Sequence, residues 1–155
     1  ADTSHFCQGG DKKTCDLKFF YNKYTLNKTI NDDVDFYTGY YIHLFTDVYW
    51  HREKLFPLKY LGEDIRERKA AWHKVDNQFL YETHVFRPFI EIKKVKNIEK
   101  QWLPYMDIDT VNTTVDGIFS YSIDSNEVAD TEAIQEINQF VIDCSNKITK
   151  RMELI

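Results

Sequence analysis

The sequence predicts an all-α fold: one domain over residues 1–155, built as a bundle of five or six helices. Three observations lead there. Only five Gly and three Pro interrupt the chain, so helix breakers are scarce. Apolar residues return at helical spacing in every long segment. β-like alternation occurs once, in Phe89-Ile-Glu-Ile-Lys93, with no second run to pair with it. A chain of this length can bury one real core, and ten Tyr and eleven Phe supply ample aromatic material for it.

Residues 1–10 are polar, contain Gly9-Gly10, and read as an irregular lead-in. Asp11 can cap a first helix in which Leu17, Phe20, Tyr21 and Tyr24 recur at helical spacing. Thr29 to Asp33 reads as a connection, with Asn31 or Asp32 able to cap the next helix. The second helix is expected from about Asp33 to Phe56, closed by Pro57. Its apolar face carries Phe36 or Tyr37, Tyr40 or Tyr41, Leu44, Phe45 and Val48. Gly39 within it costs roughly 1 kcal/mol relative to Ala, which points to a close approach by another helix or side chain. A third helix should span about Glu63 to His84, with Ile65, Ala71 or Trp72, Val75, Phe79 and Leu80 inward. Residues 88–106 read as a short helix or two leading to Pro104. Asp109 caps a helix to about Tyr121, and Asp130 opens a last one to about Met152. Ala133, Ile134, Ile137, Phe140, Val141, Cys144 and Ile148 are in register on that last helix.

The net charge of −5 argues against a nucleic-acid surface, which needs a clustered basic face. Lys93-Lys94-Val95-Lys96 reads instead as a solvated patch beside acidic neighbours. No apolar run is long enough for stable membrane insertion, and no signal-peptide pattern precedes Ala1. Cys7, Cys15 and Cys144 make no disulfide framework. Three reduced thiols in a cytoplasmic protein are a more economical reading than a Cys7–Cys15 bridge in a secreted one. Asn27-Lys-Thr and Asn112-Thr-Thr fit the glycosylation pattern, which matters only on a eukaryotic secretory route.

Chemistry gathers on two helices. His43 and Asp47 stand at i, i+4 in an aromatic run, and His73 and Asp76 at i, i+3 on the next helix. Imidazole and carboxylate one turn apart are a natural pair of zinc ligands. Two helices that each project such a pair inward can build a four-ligand metal site. The plainer alternative is that each pair hydrogen-bonds internally or faces water. His5 is a possible further ligand from the N-terminus. His51 lies about 80° round the helix from His43, a supporting or surface position, and the helix dipole alone explains His84. Cys144 reads as core, and Asp32-Asp33 and Asp107-Ile-Asp109 as caps. The chain has no His-Glu-x-x-His, Cys-x-x-Cys, Gly-x-Ser-x-Gly or Gly-rich phosphate loop, and no His directly followed by Asp.

The run Gly39-Tyr-Tyr-Ile-His43-Leu-Phe-Thr-Asp47, ending at Trp50, resembles the Gly-x-x-x-His-x-x-x-Asp helix of the zinc-dependent phospholipase C family. It is most similar to a small bacterial branch with the pattern GYxxHLxTDxxW. Ser4-His5-Phe6 and the helix bearing His73 and Asp76 are similar in position and character. The later His-x-x-x-Glu pair of the family has only His73-Lys-Val-Asp76 as counterpart, and its N-terminal Trp is absent. The resemblance implies an all-α bacterial protein that binds zinc and hydrolyses a small-molecule or lipid phosphoester. On that reading His43, Asp47, His73, Asp76 and His5 bind the metal, and Asp47 also has a catalytic part. Tyr40, Trp50 and Trp72 wall the substrate pocket. The alternative is a helical scaffold or metal-binding protein that keeps the fold without turnover.

Overall fold

The computed structural model describes residues 15–26, 32–62, 64–83, 101–103, 106–120 and 128–153. They form helices α1 (Leu17–Tyr24), α2 (Asp32–Trp50), α3 (Phe56–Leu61), α4 (Ile65–Thr83), α5 (Ile108–Ser120) and α6 (Thr131–Glu153). A π turn, His51–Leu55, joins α2 to α3. No strand occurs among the described residues, so the all-α expectation holds. The alternating segment 89–93, His84 and the Lys93–Lys96 cluster lie outside them, as do Cys7, Asp11 and the Asn27 sequon. Two compact units can be distinguished: Ala1–Ile65 with Gln139–Ile155, and Arg66–Asn138.

In the first unit the helix ends follow from local hydrogen bonding. Asp16 caps α1, its Oδ1 accepting from the Phe19 N–H at 2.8 Å. This corrects the expected start at Asp11: Cys15 and Asp16 are not helical. The Thr25 and Leu26 N–H groups close the other end on the Tyr21 carbonyl, at 2.9 and 3.0 Å. Pro57 does not end the second helix as expected. The Phe56 N–H bonds to the His51 carbonyl, five residues back. Pro57 then falls in the first turn of α3, where a missing N–H and a fixed φ are tolerated. Helical winding stops only at Gly62, whose φ of 75° is left-handed and which donates to the Leu58 and Lys59 carbonyls.

The core of this unit is aromatic. Leu17 and Phe20 of α1, Tyr41, Leu44, Phe45 and Val48 of α2, and Phe140 and Cys144 of α6 are buried. Ring pairs join α1 to α2, with centroids 5.5 Å apart for Phe20–Tyr40 and 5.2 Å for Tyr21–Tyr41. Farther along α2, Phe140 meets Tyr49 at 5.5 Å and the edge of Trp50 at 4.7 Å. Each fully buried ring or leucine stabilises by roughly 1.5–3 kcal/mol. Gly39 is exposed, and a Cβ there would meet nothing within 4 Å. Among the described residues the close approach expected of it is absent.

The second unit holds α4, α5 and the first turns of α6. Trp72, Val75, Leu103, Ala129 and Ala133 are buried; the side chains of Phe79 and Leu80 lie outside the described part. Polar contacts pin α4 to the start of α6. The Arg68 guanidinium lies 3.0 Å from both Glu132 and Glu136, and the Trp72 indole N–H donates to Glu136 at 2.9 Å. Glu132 first, then Glu136, hold Arg68 above its ordinary pKa. The Ala129 N–H donates to Gln78 Oε1, and Asp130 caps α6 as expected, accepting from the Ala133 N–H at 2.7 Å. The cap of α5 is Asp107 rather than Asp109: its carboxylate takes the Asp109 and Thr110 N–H groups and the Thr110 hydroxyl. That hydroxyl, more than the backbone donors, holds the Asp107 carboxyl below the usual range.

Candidate functional site

α2 carries His43 and Asp47 on one stripe, and the structure brings them together. His43 Nε2 and Asp47 Oδ2 are 3.9 Å apart, with side chains 53% and 25% exposed. The expectation that the pair projects into a core is corrected. Tyr41, Leu44, Phe45 and Val48 occupy the inward stripe, and His43 stands about 200° round the helix from both Tyr41 and Phe45. The imidazole therefore faces outward, with the Tyr40 ring beside it at 5.9 Å.

The pair on α4 has the same geometry in the other unit. His73 Nδ1 and Asp76 Oδ2 are 3.9 Å apart, with side chains 79% and 62% exposed. Trp72 and Val75 take the inward positions, and each member of the pair is one residue, about 100°, beyond one of them. Partial desolvation raises the Asp76 carboxyl above its ordinary value, and His73 opposes the rise.

At 3.9 Å neither pair makes a direct hydrogen bond. Two donors on a tetrahedral zinc, each about 2.0–2.2 Å from the ion, stand about 3.3–3.5 Å apart. Each pair is thus about 0.4–0.6 Å wider than a two-point metal grip. Within each unit, no group of three or more His, Cys, Asp or Glu among the described residues is placed to hold a metal ion. His5 lies outside the described residues.

The aromatic residues expected around a pocket take different places. Tyr40 borders His43. Trp50 packs edge-on against Phe140. Trp72 is buried, with its indole N–H committed to Glu136. A feature that sequence reasoning missed is the outer face of α3, where Phe56, Tyr60 and Leu61 are exposed. Phe56 and Tyr60, four residues apart, share a side of the helix and Leu61 lies about 100° beyond Tyr60, an arrangement visible once α3 is known to continue past Pro57.

No family model, curated protein or solved structure matches the chain. The resemblance read in Gly39 to Trp50 finds no support in these comparisons.

Proposed function

We propose that this protein binds zinc through His43 and Asp47 and uses it to hydrolyse a phosphoester, in the manner of the zinc-dependent phospholipases C. The observation that carries this reading is the 3.9 Å separation of His43 Nε2 and Asp47 Oδ2 on an accessible face of α2. A metal held there supplies Lewis acidity and a bound water of lowered pKa. The chain's own residues hold and orient: imidazole and carboxylate approach from one helix turn, and the Tyr40 ring borders the imidazole. His73 and Asp76 form a second grip of the same kind, and His5 is the proposed further ligand. The substrate is a small-molecule or lipid phosphoester. The reduced thiols fit a cytoplasmic setting, and no helix among the described residues is long and apolar enough to cross a membrane.

A second reading, a helical scaffold or metal-binding protein without turnover, draws support from the outward direction of both pairs. A catalytic zinc takes three protein ligands and an open position, and each pair supplies two.

Zinc-dependent melting separates these readings. Zinc at about a hundredfold excess over its Kd should stabilise the parent by about 2.7 kcal/mol, His43→Ala clearly less, and the His43→Ala/His73→Ala double variant not at all. Equal shifts in the parent and His43→Ala would place zinc elsewhere. The zinc-loaded protein should also hydrolyse bis-p-nitrophenyl phosphate, more slowly as Asp47→Asn, and lose the activity to a chelator. Zinc binding at His43 with no turnover on diesters, monoesters or phospholipids would leave the scaffold reading.

A further inference from the structure

The two His–Asp pairs differ in how far they stand out from their helices. On α4 the side chains of His73 and Asp76 are 79% and 62% exposed, against 53% and 25% for His43 and Asp47 on α2. Lys69, Ala70 and Lys74 around the α4 pair are exposed as well. The inward side of α4 is settled by Trp72 and Val75, which are buried, and by the Trp72 indole N–H, which donates to Glu136. His73 and Asp76 therefore belong to the outer side.

An ion gripped by His73 and Asp76 has two of its four tetrahedral positions filled. Both ligands come from one turn of one helix, so they lie on the same side of the ion. The remaining two positions point away from α4, toward solvent. Among the described residues no third His, Cys, Asp or Glu is placed to join the pair. Exposure then separates the two grips. A carboxylate that is 25% exposed, as at Asp47, admits an ion or water more readily than another molecule's side chains. Asp76 is open to both.

A second copy of the chain presents the same two ligands. With a two-fold axis through the ion, two His73–Asp76 pairs give a set of two imidazoles and two carboxylates, and the arrangement closes on itself. The two carboxylates cancel the charge of the ion. Without it, two chains of net charge −5 repel, so association should follow zinc.

We propose that His73 and Asp76 are half of a zinc site that a second copy of the chain completes, the ion bridging the outer faces of two α4 helices. This rests on reading His73 and Asp76 as a metal grip, and it gives that grip to assembly while His43 and Asp47 keep the phosphoester. Sedimentation velocity of the full chain tests it, with zinc and then with excess chelator, beside equilibrium dialysis for zinc uptake. Zinc should double the parent's mass, and chelator should restore the monomer. His73→Ala and Asp76→Ala should stay monomeric with the parent's circular dichroism, because both side chains are exposed. His43→Ala should still dimerise, with about one zinc for two chains. A zinc-loaded parent that stays monomeric would overturn the bridge and leave the metal grips standing. No zinc uptake by the parent would sink the bridge and the metal reading together. A dimer that persists in chelator or in His73→Ala would also overturn the bridge. So would zinc-driven polymers that His43→Ala abolishes, since the two different grips would then be joining head to tail.

Discussion

Gly39 shows how one residue can be read correctly in its energetics and incorrectly in its purpose. A glycine inside a helix is unfavourable, and among the described residues nothing approaches to justify it. Gly39→Ala should therefore raise stability by about 1 kcal/mol, which for a chain of this size moves Tm by roughly 2–4 °C. A calorimetric Tm that falls would mean the helix needs flexibility there. Tyr41 offers a second test. Its hydroxyl is buried, with no hydrogen bond of good geometry among the described residues and Arg151 as the polar group that acts on it. Burial raises its pKa above the ordinary tyrosine value, while the Arg151 charge pulls it down and Tyr21 adds to the rise. Because the folded-state value is the higher one, the stability tied to Tyr41 is full below the ordinary value near pH 10. It is lost as pH climbs through the folded-state value. Tyr41→Phe should unfold no more easily at neutral pH, and its alkaline loss of stability in urea titrations should be shallower. The pairing of His43 with Asp47 was legible from spacing alone, but the direction they face was not. Tyr40, Tyr41, Ile42, Leu44 and Phe45 make that stretch apolar nearly all round, so the pattern names no inward stripe.

Helix ends are decided by competition among neighbouring carboxylates. Asp11 and Asp16 both precede α1, and Asp107 and Asp109 both stand at the start of α5. In each case the pattern marks the helix but cannot choose the cap, which depends on which side chain reaches a free N–H. Asp16→Ala should cost about 1 kcal/mol, and hydrogen exchange should quicken at Phe19 and its neighbours more than in α6. Uniform quickening across the unit would show instead that α1 has no separate opening. Pro57 misled for a related reason. Its missing N–H forbids a regular helix interior, yet the five-residue bond from Phe56 to His51 carries the chain past it.

At the scale of the molecule, what composition and periodicity supplied was the all-α class and part of the core stripes, Phe140 and Cys144 among them; Val141, expected on the same stripe of α6, is 53% exposed, because it stands about 100° round the helix from Phe140. Contacts between distant positions were beyond their reach. Arg68 meets Glu132 and Glu136 across more than sixty residues of sequence, and no local pattern links them. Cys144 turns the packing of its unit into something measurable. Its thiol is buried and lies 3.8 Å from the Thr46 hydroxyl. Burial raises its pKa, with Thr46 and Lys147 opposing. In a background carrying Cys7→Ser and Cys15→Ser, a disulfide reagent should label Cys144 only as fast as that core opens, orders of magnitude slower than in denaturant. Labelling at the rate of an exposed thiol would mean that α6 separates from α2 without unfolding.

The π turn at His51–Leu55 takes in one residue more than α-helical winding would. Relaxed to regular α winding, the same sequence would turn everything after it by about 100°. That single extra residue sets the azimuth of Phe56, Tyr60 and Leu61. Deleting one of the five would straighten the winding and leave their bearing nearly unchanged. Inserting another would swing them a quarter turn or more toward the side now taken by Leu55 and Leu58. The turn works as a phase shifter in a continuous rod: length changes there re-aim the tip, while the buried stripe of α2 stays where it is.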